Sequence, residues 1–155
     1  MPLGTEINPD YLVGQLVIPS VGLNIAVLEG LTNENLDVAS GTMKPGQVLG
    51  KGNYAIAGHH MIDEDLLFTP LMNVRDFDTI YITDKARVYK YVVTDTFIVP
   101  PTEGQVINDD QGKGIITLVT CSNPEGTNRW IVRGKFMKSY PVNQANQEIK
   151  EAIQI

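Results

Sequence analysis

Residues 88–93 read VYKYVV, and this stretch decides the fold class. Side chains of an extended strand point alternately to its two faces. One face therefore carries Val88, Lys90 and Val92, while the other carries two tyrosines and Val93. Apolar atoms on both faces are typical of a strand within a closed or well-covered sheet.

Seven similar runs surround this stretch. They are rich in β-branched and aromatic residues and are separated by Pro, Gly, Asn and Asp, which favour turns. These runs are 16–18, 23–28, 54–57, 79–83, 97–99, 115–121 and 130–137. About eight short strands with little helix between them predict an all-β protein, either an antiparallel barrel or a sandwich.

The composition is that of one folded domain. The chain has 155 residues, of which 43% are hydrophobic and 19% charged. Its formal net charge of −6 argues against nucleic acid as a partner. No apolar run is long enough for a membrane span, and no signal peptide is recognisable. Residues 1–10 predict a linker or cloning remnant, 11–138 the folded domain, and 139–155 a tail, either frayed or a short helix.

The only cysteine, Cys121, ends the run TLVTC at 117–121. A single cysteine excludes an intramolecular disulfide and a zinc site built from several thiolates. Period-two alternation places it on the face of its strand that Thr117 also occupies, and Arg133 follows on the next strand. If the two strands pair antiparallel, Cys121 and Arg133 lie close together, and the guanidinium favours the thiolate. Arg129 competes for this role, but we expect it inside the intervening loop.

A nucleophilic cysteine needs a proton-transfer partner, and histidine suits that role near neutral pH. The chain has only His59 and His60, which are adjacent, so at most one of them is expected to face the site. The alternative is a non-catalytic β-barrel binding module in which Cys121 is buried and inert, as free cysteines usually are. Residue spacing alone leaves both interpretations open.

Three motifs together resemble the sortase transpeptidases of Gram-positive bacteria. They are AGH at 57–59, TLVTC at 117–121 and WIVR at 130–133, in this order and spacing. The resemblance extends from about Gly14 to Met137 and is greatest to class A, the housekeeping type. It implies an eight-stranded β-barrel with one or two short helices.

The resemblance also implies a catalytic triad and a reaction. His59, Cys121 and Arg133 would be catalytic. Cys121 would cleave a Leu-Pro-x-Thr-Gly sorting signal between Thr and Gly, giving a thioester acyl-enzyme. An amine of a lipid-linked peptidoglycan precursor would then accept the surface protein. The enzyme would act at the outer face of the cell membrane, held by an N-terminal anchor that this chain lacks.

A substrate groove follows from the same resemblance. The Leu and Pro of the signal need apolar contacts near the nucleophile, and a hydroxyl next to it could help to bind the reacting carbonyl. The matching positions are Ala57, Pro101, Val106, Ile107, Val119 and Thr120. A pilin-type sortase, or one that mainly hydrolyses its acyl-enzyme, remains an alternative.

No cofactor is expected, and calcium is the ion to consider. One well-known family member binds it through carboxylates before the histidine strand and in the long loop. Here residues 42–47 read TMKPGQ and supply no carboxylate, while Lys44 adds a positive charge. Asp109 and Asp110 are a poor site for an ion that prefers six to eight oxygen ligands. The sequence therefore predicts activity without calcium.

Overall fold

The fold is described from a computed structural model of the chain. It describes residues 12–30, 40–44, 46–58, 69–84, 86–100, 114–121 and 128–144. The predicted linker at 1–10 and the end of the tail at 145–155 lie outside these ranges.

Eight strands form the described part of the molecule. They are β1 (Leu12–Ile18), β2 (Leu23–Leu28), β3 (Ser40–Thr42), β4 (Asn53–Ala57), β5 (Thr79–Thr83), β6 (Arg87–Val99), β7 (Ile115–Cys121) and β8 (Arg129–Pro141). Three short 3₁₀ helices accompany them, at Pro19–Val21, Thr69–Asn73 and Val142–Gln144. The prediction of about eight short strands with little helix is confirmed.

The strands close into a barrel in the order β1-β2-β3-β4-β7-β8-β6-β5. Most neighbours pair antiparallel, but β2 pairs with β3 and β4 with β7 in parallel. The all-antiparallel arrangement expected from the sequence is therefore wrong at these two places. Parallel neighbours need a long crossover connection, and here β5 and β6 lie between β4 and β7 along the chain.

The core fills the inside of the barrel with alternate residues of every long strand. It includes Leu16, Ile56, Ile82, Ile116, Leu118 and Val132, all at most 1% exposed. Tyr91 is also fully buried, and its ring packs edge-on against Phe136 with the centroids 5.5 Å apart. Eight strands leave an interior that side chains of this size can fill.

Two strands are longer than the sequence predicted. The predicted runs 88–93 and 97–99 form the single strand β6, because the polar residues between them make a bulge at Val93/Asp95 rather than a turn. β8 begins at Arg129 and runs to Pro141. Residues 139–141, assigned to the tail from the sequence, are therefore the end of β8 and pair with the start of β6.

Candidate active site

The outer surface of β4, β7 and β8 carries the predicted site. Ile116 and Leu118 belong to the core, so the alternate residues Thr117 and Val119 face outwards. They are nevertheless only 0% and 7% exposed. Cys121 is the next residue of the same parity, at the end of β7.

An apolar row crosses four strands on this outer surface. Ala57 of β4 is in register with Val119 of β7, Val119 with Ile131 of β8, and Ile131 with Phe97 of β6. Ile131 is fully buried. The structure thus brings together two of the predicted groove residues, Ala57 and Val119. Ile131 and Phe97 were not predicted, although their alternation within strands β8 and β6 could have indicated them.

Register decides which arginine is the neighbour of Cys121. β7 and β8 pair antiparallel, with Cys121 opposite Arg129 and Thr117 opposite Arg133. Arg133 therefore lies four residues away along β8, about 13 Å at 3.3 Å per residue. The expectation that Arg133 lies beside Cys121 is wrong. The sequence led us to expect Arg129 in the loop before β8, but Arg129 is the first residue of that strand.

Arg133 has its own surroundings on the outer surface. Its guanidinium lies 5.4 Å from the centroid of the Phe97 ring, within the range of a cation–π interaction. Asp95 is its cross-strand neighbour in β6. Arg133 therefore interacts with β6 rather than with the end of β7.

Thr120 does not share the face of the groove residues. It lies opposite Trp130 in the register, alternates with Val119, and is only 2% exposed. Its hydroxyl is buried and has no hydrogen-bond partner in the described part of the chain. Thr120 therefore lies on the opposite face of β7 from Val119. Its contact with the substrate stays a prediction.

Trp130 binds the connection between β4 and β5. Its indole Nε1 donates a 2.8 Å hydrogen bond to the carbonyl of Leu71. Leu71 is fully buried and lies in the 3₁₀ helix Thr69–Asn73. This helix belongs to the connection between β4 and β5, which also contains His59. The connection is thus tied to β8 next to Arg129.

The remaining predicted site residues lie outside the described ranges and stay predictions. They are His59, Pro101, Val106 and Ile107, together with the neighbouring His60. The backbone immediately before His59 is described: Gly58 N–H donates to the carbonyl of Val119 over 3.1 Å. The parallel pairing of β4 with β7 therefore continues up to the residue that precedes His59.

The resolved pKa shifts belong to tyrosines away from this end of the barrel. Burial, with the charges of Glu29 and Asp84 adding to it, raises the pKa of Tyr54 to about 12. Burial likewise raises the pKa of Tyr91 to about 12, opposed by the hydrogen bond that its hydroxyl accepts from Gly50 N–H. Both phenols stay neutral at physiological pH.

The described residues offer neither a metal-binding cluster nor a membrane-spanning helix. Within those ranges, no three His, Cys, Asp or Glu side chains lie close enough together to hold a metal ion. The helices described there are all too short or too polar to cross a bilayer.

Comparison with known proteins agrees with this fold. The family model described as "Sortase domain" matches residues 16–137. Sortase A of Listeria monocytogenes is 44% identical over 133 residues, covering 85% of this chain and 60% of that protein. Sortase A of Streptococcus agalactiae is 38% identical over 146 residues, covering 91% of this chain and 59% of that protein.

The solved structures show the same likeness. The crystal structure of Listeria monocytogenes sortase A superposes with a TM-score of 0.86 at 40% identity, covering 93% of this chain and 97% of that one. A sortase D5 transpeptidase of Clostridium perfringens gives a TM-score of 0.75 at 27% identity, covering 86% of this chain and 83% of that one.

The closed barrel of eight strands is the fold of these solved sortase structures. The chain belongs to the sortase family. It spans about 60% of the length of the curated relatives that it matches.

Proposed function

We propose that this domain is a cysteine transpeptidase of the class A type. It cleaves a Leu-Pro-x-Thr-Gly signal between Thr and Gly and transfers the surface protein to an amine of a lipid-linked cell-wall precursor. The support for class A is the 38% to 44% identity to proteins named Sortase A. The protein would act at the outer face of the bacterial membrane.

The observation that carries the proposal is the parallel register of β4 and β7. Ala57 pairs with Val119, and His59 and Cys121 each follow two residues later in the sequence. The carboxyl ends of parallel strands meet at one edge of a sheet, so we expect the histidine and the thiol that follow these pairs to lie at the same edge. The antiparallel neighbour β8 adds Arg129 opposite Cys121. A thiol, a proton carrier and a cation are the groups that acyl transfer needs.

The first half of the reaction forms the acyl-enzyme. The Cys121 thiolate attacks the Thr carbonyl carbon, and the oxyanion is held by the Arg129 guanidinium. Collapse of this intermediate breaks the C–N bond to Gly, and His59 gives its proton to the departing amine. A thioester between Cys121 and the surface protein remains.

The second half returns the enzyme to its starting state. An incoming amine attacks the thioester carbonyl while His59 takes a proton from it. The new C–N bond forms, the C–S bond breaks, and the thiolate of Cys121 leaves. Ala57, which is partly exposed, and its neighbour Val119 would contact the Leu and Pro of the signal.

The test is a peptide assay with two kinds of readout. The domain is incubated with a fluorescent Leu-Pro-x-Thr-Gly peptide, with and without an amine acceptor, and the products are identified by mass spectrometry. We expect cleavage after Thr, a ligated product when the amine is present, and a thioester adduct on Cys121. Cys121→Ala and His59→Ala should abolish turnover. A Cys121 that resists alkylation, with full activity of Cys121→Ala, would refute the proposal and favour a non-catalytic binding module.

The same assay separates the alternatives within the family. An enzyme that mainly hydrolyses its acyl-enzyme gives the same free acid whether or not amine is present. A pilin-type enzyme prefers a protein lysine as the acceptor. Ligation to a small cell-wall-like amine in preference to water supports the class A assignment.

A further inference from the structure

On the edge of β4 that faces β3, the strand pairing stops before it reaches Ala55. β3 pairs with β4 only through Gly41 with Ala57 and Thr42 with Ile56. The next residues, Met43 and Ala55, would form the following pair of an antiparallel ladder. Met43 N–H does donate to Ala55 O over 3.0 Å, but β3 ends at Thr42.

A side chain completes this unfinished pair. Ala55 N–H donates to Oε1 of Gln47 over 3.0 Å, and Nε2 of Gln47 donates back to Ala55 O over 3.1 Å. The carboxamide thus offers an acceptor and a donor side by side, as a strand would. Its orientation is fixed, because only Oε1 can accept from the Ala55 N–H.

The position of this clamp connects it to the candidate active site. Ala55 is fully buried and pairs with Thr117 on its other side. Two residues further along β4, Ala57 pairs with Val119, and Gly58 N–H then bonds to Val119 O. His59 is the next residue. The segment that leads to His59 is therefore held at Ala55 by β7 on one edge and by Gln47 on the other.

We propose that Gln47 is a positioning residue of the transpeptidase, which holds β4, the strand that precedes His59, in register with the end of β7. This inference rests on the proposed function for its kinetic consequence. Both hydrogen bonds described for the Gln47 side chain are to Ala55, so Gln47 would act through Ala55. A displacement of the general acid by about 1 Å can lower the rate by up to a hundredfold. A side chain that only holds β4 in register can therefore affect turnover.

The decisive variant is Gln47→Met, which keeps the length of the side chain and removes both hydrogen bonds. We expect kcat for peptide cleavage to fall by about tenfold, with KM within about twofold, because a displaced proton carrier slows chemistry more than binding. Val48→Ala is the matched control, since Val48 is the next residue in the same loop and is 55% exposed. It should behave as the wild type.

A second variant, Gln47→Glu, separates positioning from space filling. Its carboxyl group can copy the carboxamide only when protonated, because the ionised form brings two acceptors against Ala55 O. The ratio of its kcat to that of the wild type should therefore fall as pH rises through the pKa of the introduced carboxyl group. A side chain that only fills space would give a ratio independent of pH.

Hydrogen exchange makes the test independent of enzymatic activity. Amide exchange at Ala57 and Gly58 should quicken in Gln47→Met by more than that at Leu118, under conditions where circular dichroism shows a fully folded protein. If exchange quickens in Gln47→Met but the wild-type protein is inactive in the peptide assay, the positioning of β4 by Gln47 is supported and the proposed function is refuted. Unchanged exchange, or a lower melting temperature with wild-type kcat, would overturn the inference about Gln47.

Discussion

Arg129 and Arg133 offer the sharpest test of the site, because they lie on the same face of one strand. Arg129 is in register with Cys121, whereas Arg133 is in register with Thr117. The four residues between them correspond to about 13 Å along the strand. An oxyanion donor must approach to about 3 Å, so one of the two can act and the other cannot.

The same substitution at each position gives a matched pair. Arg129→Met should lower kcat by about 10² to 10³, or roughly 3–4 kcal/mol, as expected for loss of an oxyanion donor. Arg133→Met removes the guanidinium that stacks on Phe97. It should cost about 0.5–1 kcal/mol of stability and leave kcat within about threefold.

The assay is steady-state cleavage of a Leu-Pro-x-Thr-Gly peptide, at a temperature where circular dichroism shows both variants folded. Urea titration supplies the free energy of unfolding for each. Reversed results, with Arg133→Met inactive and Arg129→Met active, would refute the argument from register. They would restore the role that the sequence first suggested for Arg133.

Three further predictions concern stability and ions. Gly134→Ala would place a Cβ atom 2.9 Å from Val92 O, so urea titration should show a loss of about 1–3 kcal/mol; an unchanged midpoint would contradict the close approach of β6 and β8. Burial raises the pKa values of Tyr54 and Tyr91 to about 12, above the unfolded value near 10. The buried neutral phenols therefore stabilise the fold fully below about pH 10, and this contribution of up to roughly 2–3 kcal/mol per tyrosine is lost towards pH 12. Denaturation at increasing pH measures the loss. Tyr54→Phe should flatten the dependence of the free energy of unfolding on pH. Peptide cleavage should proceed at equal rates in chelator and in millimolar calcium, whereas strong activation by calcium would show that a site was overlooked.

The sequence predicted strands whose limits depend on local residues. β2 and β5 begin and end where the expected runs 23–28 and 79–83 do, because Pro, Gly and Asp bound them. The break expected at Thr94 and Asp95 is a bulge instead. Its long-range pairing with β8 continues on both sides, and local turn propensity carries no information about that pairing.

The site was predictable in its residue types but not in its register. Period-two alternation assigned Thr117 and Val119 to the face of β7 opposite the core residues Ile116 and Leu118, as the structure has them. The identity of the facing arginine depended on the register of β7 with β8, which places Arg129 rather than Arg133 opposite Cys121. The carboxamide clamp of Gln47 on Ala55 could not be predicted, since it depends on where β3 stops relative to β4.

The parallel pairing of β4 with β7 has a consequence for how the barrel folds. Asn53 pairs with Ile115, so the contact that joins the two strands closes a loop containing both β5 and β6. Contacts so distant in sequence form slowly and carry a large entropic cost. The edge at which β4 and β7 end together therefore exists only once this long loop has closed.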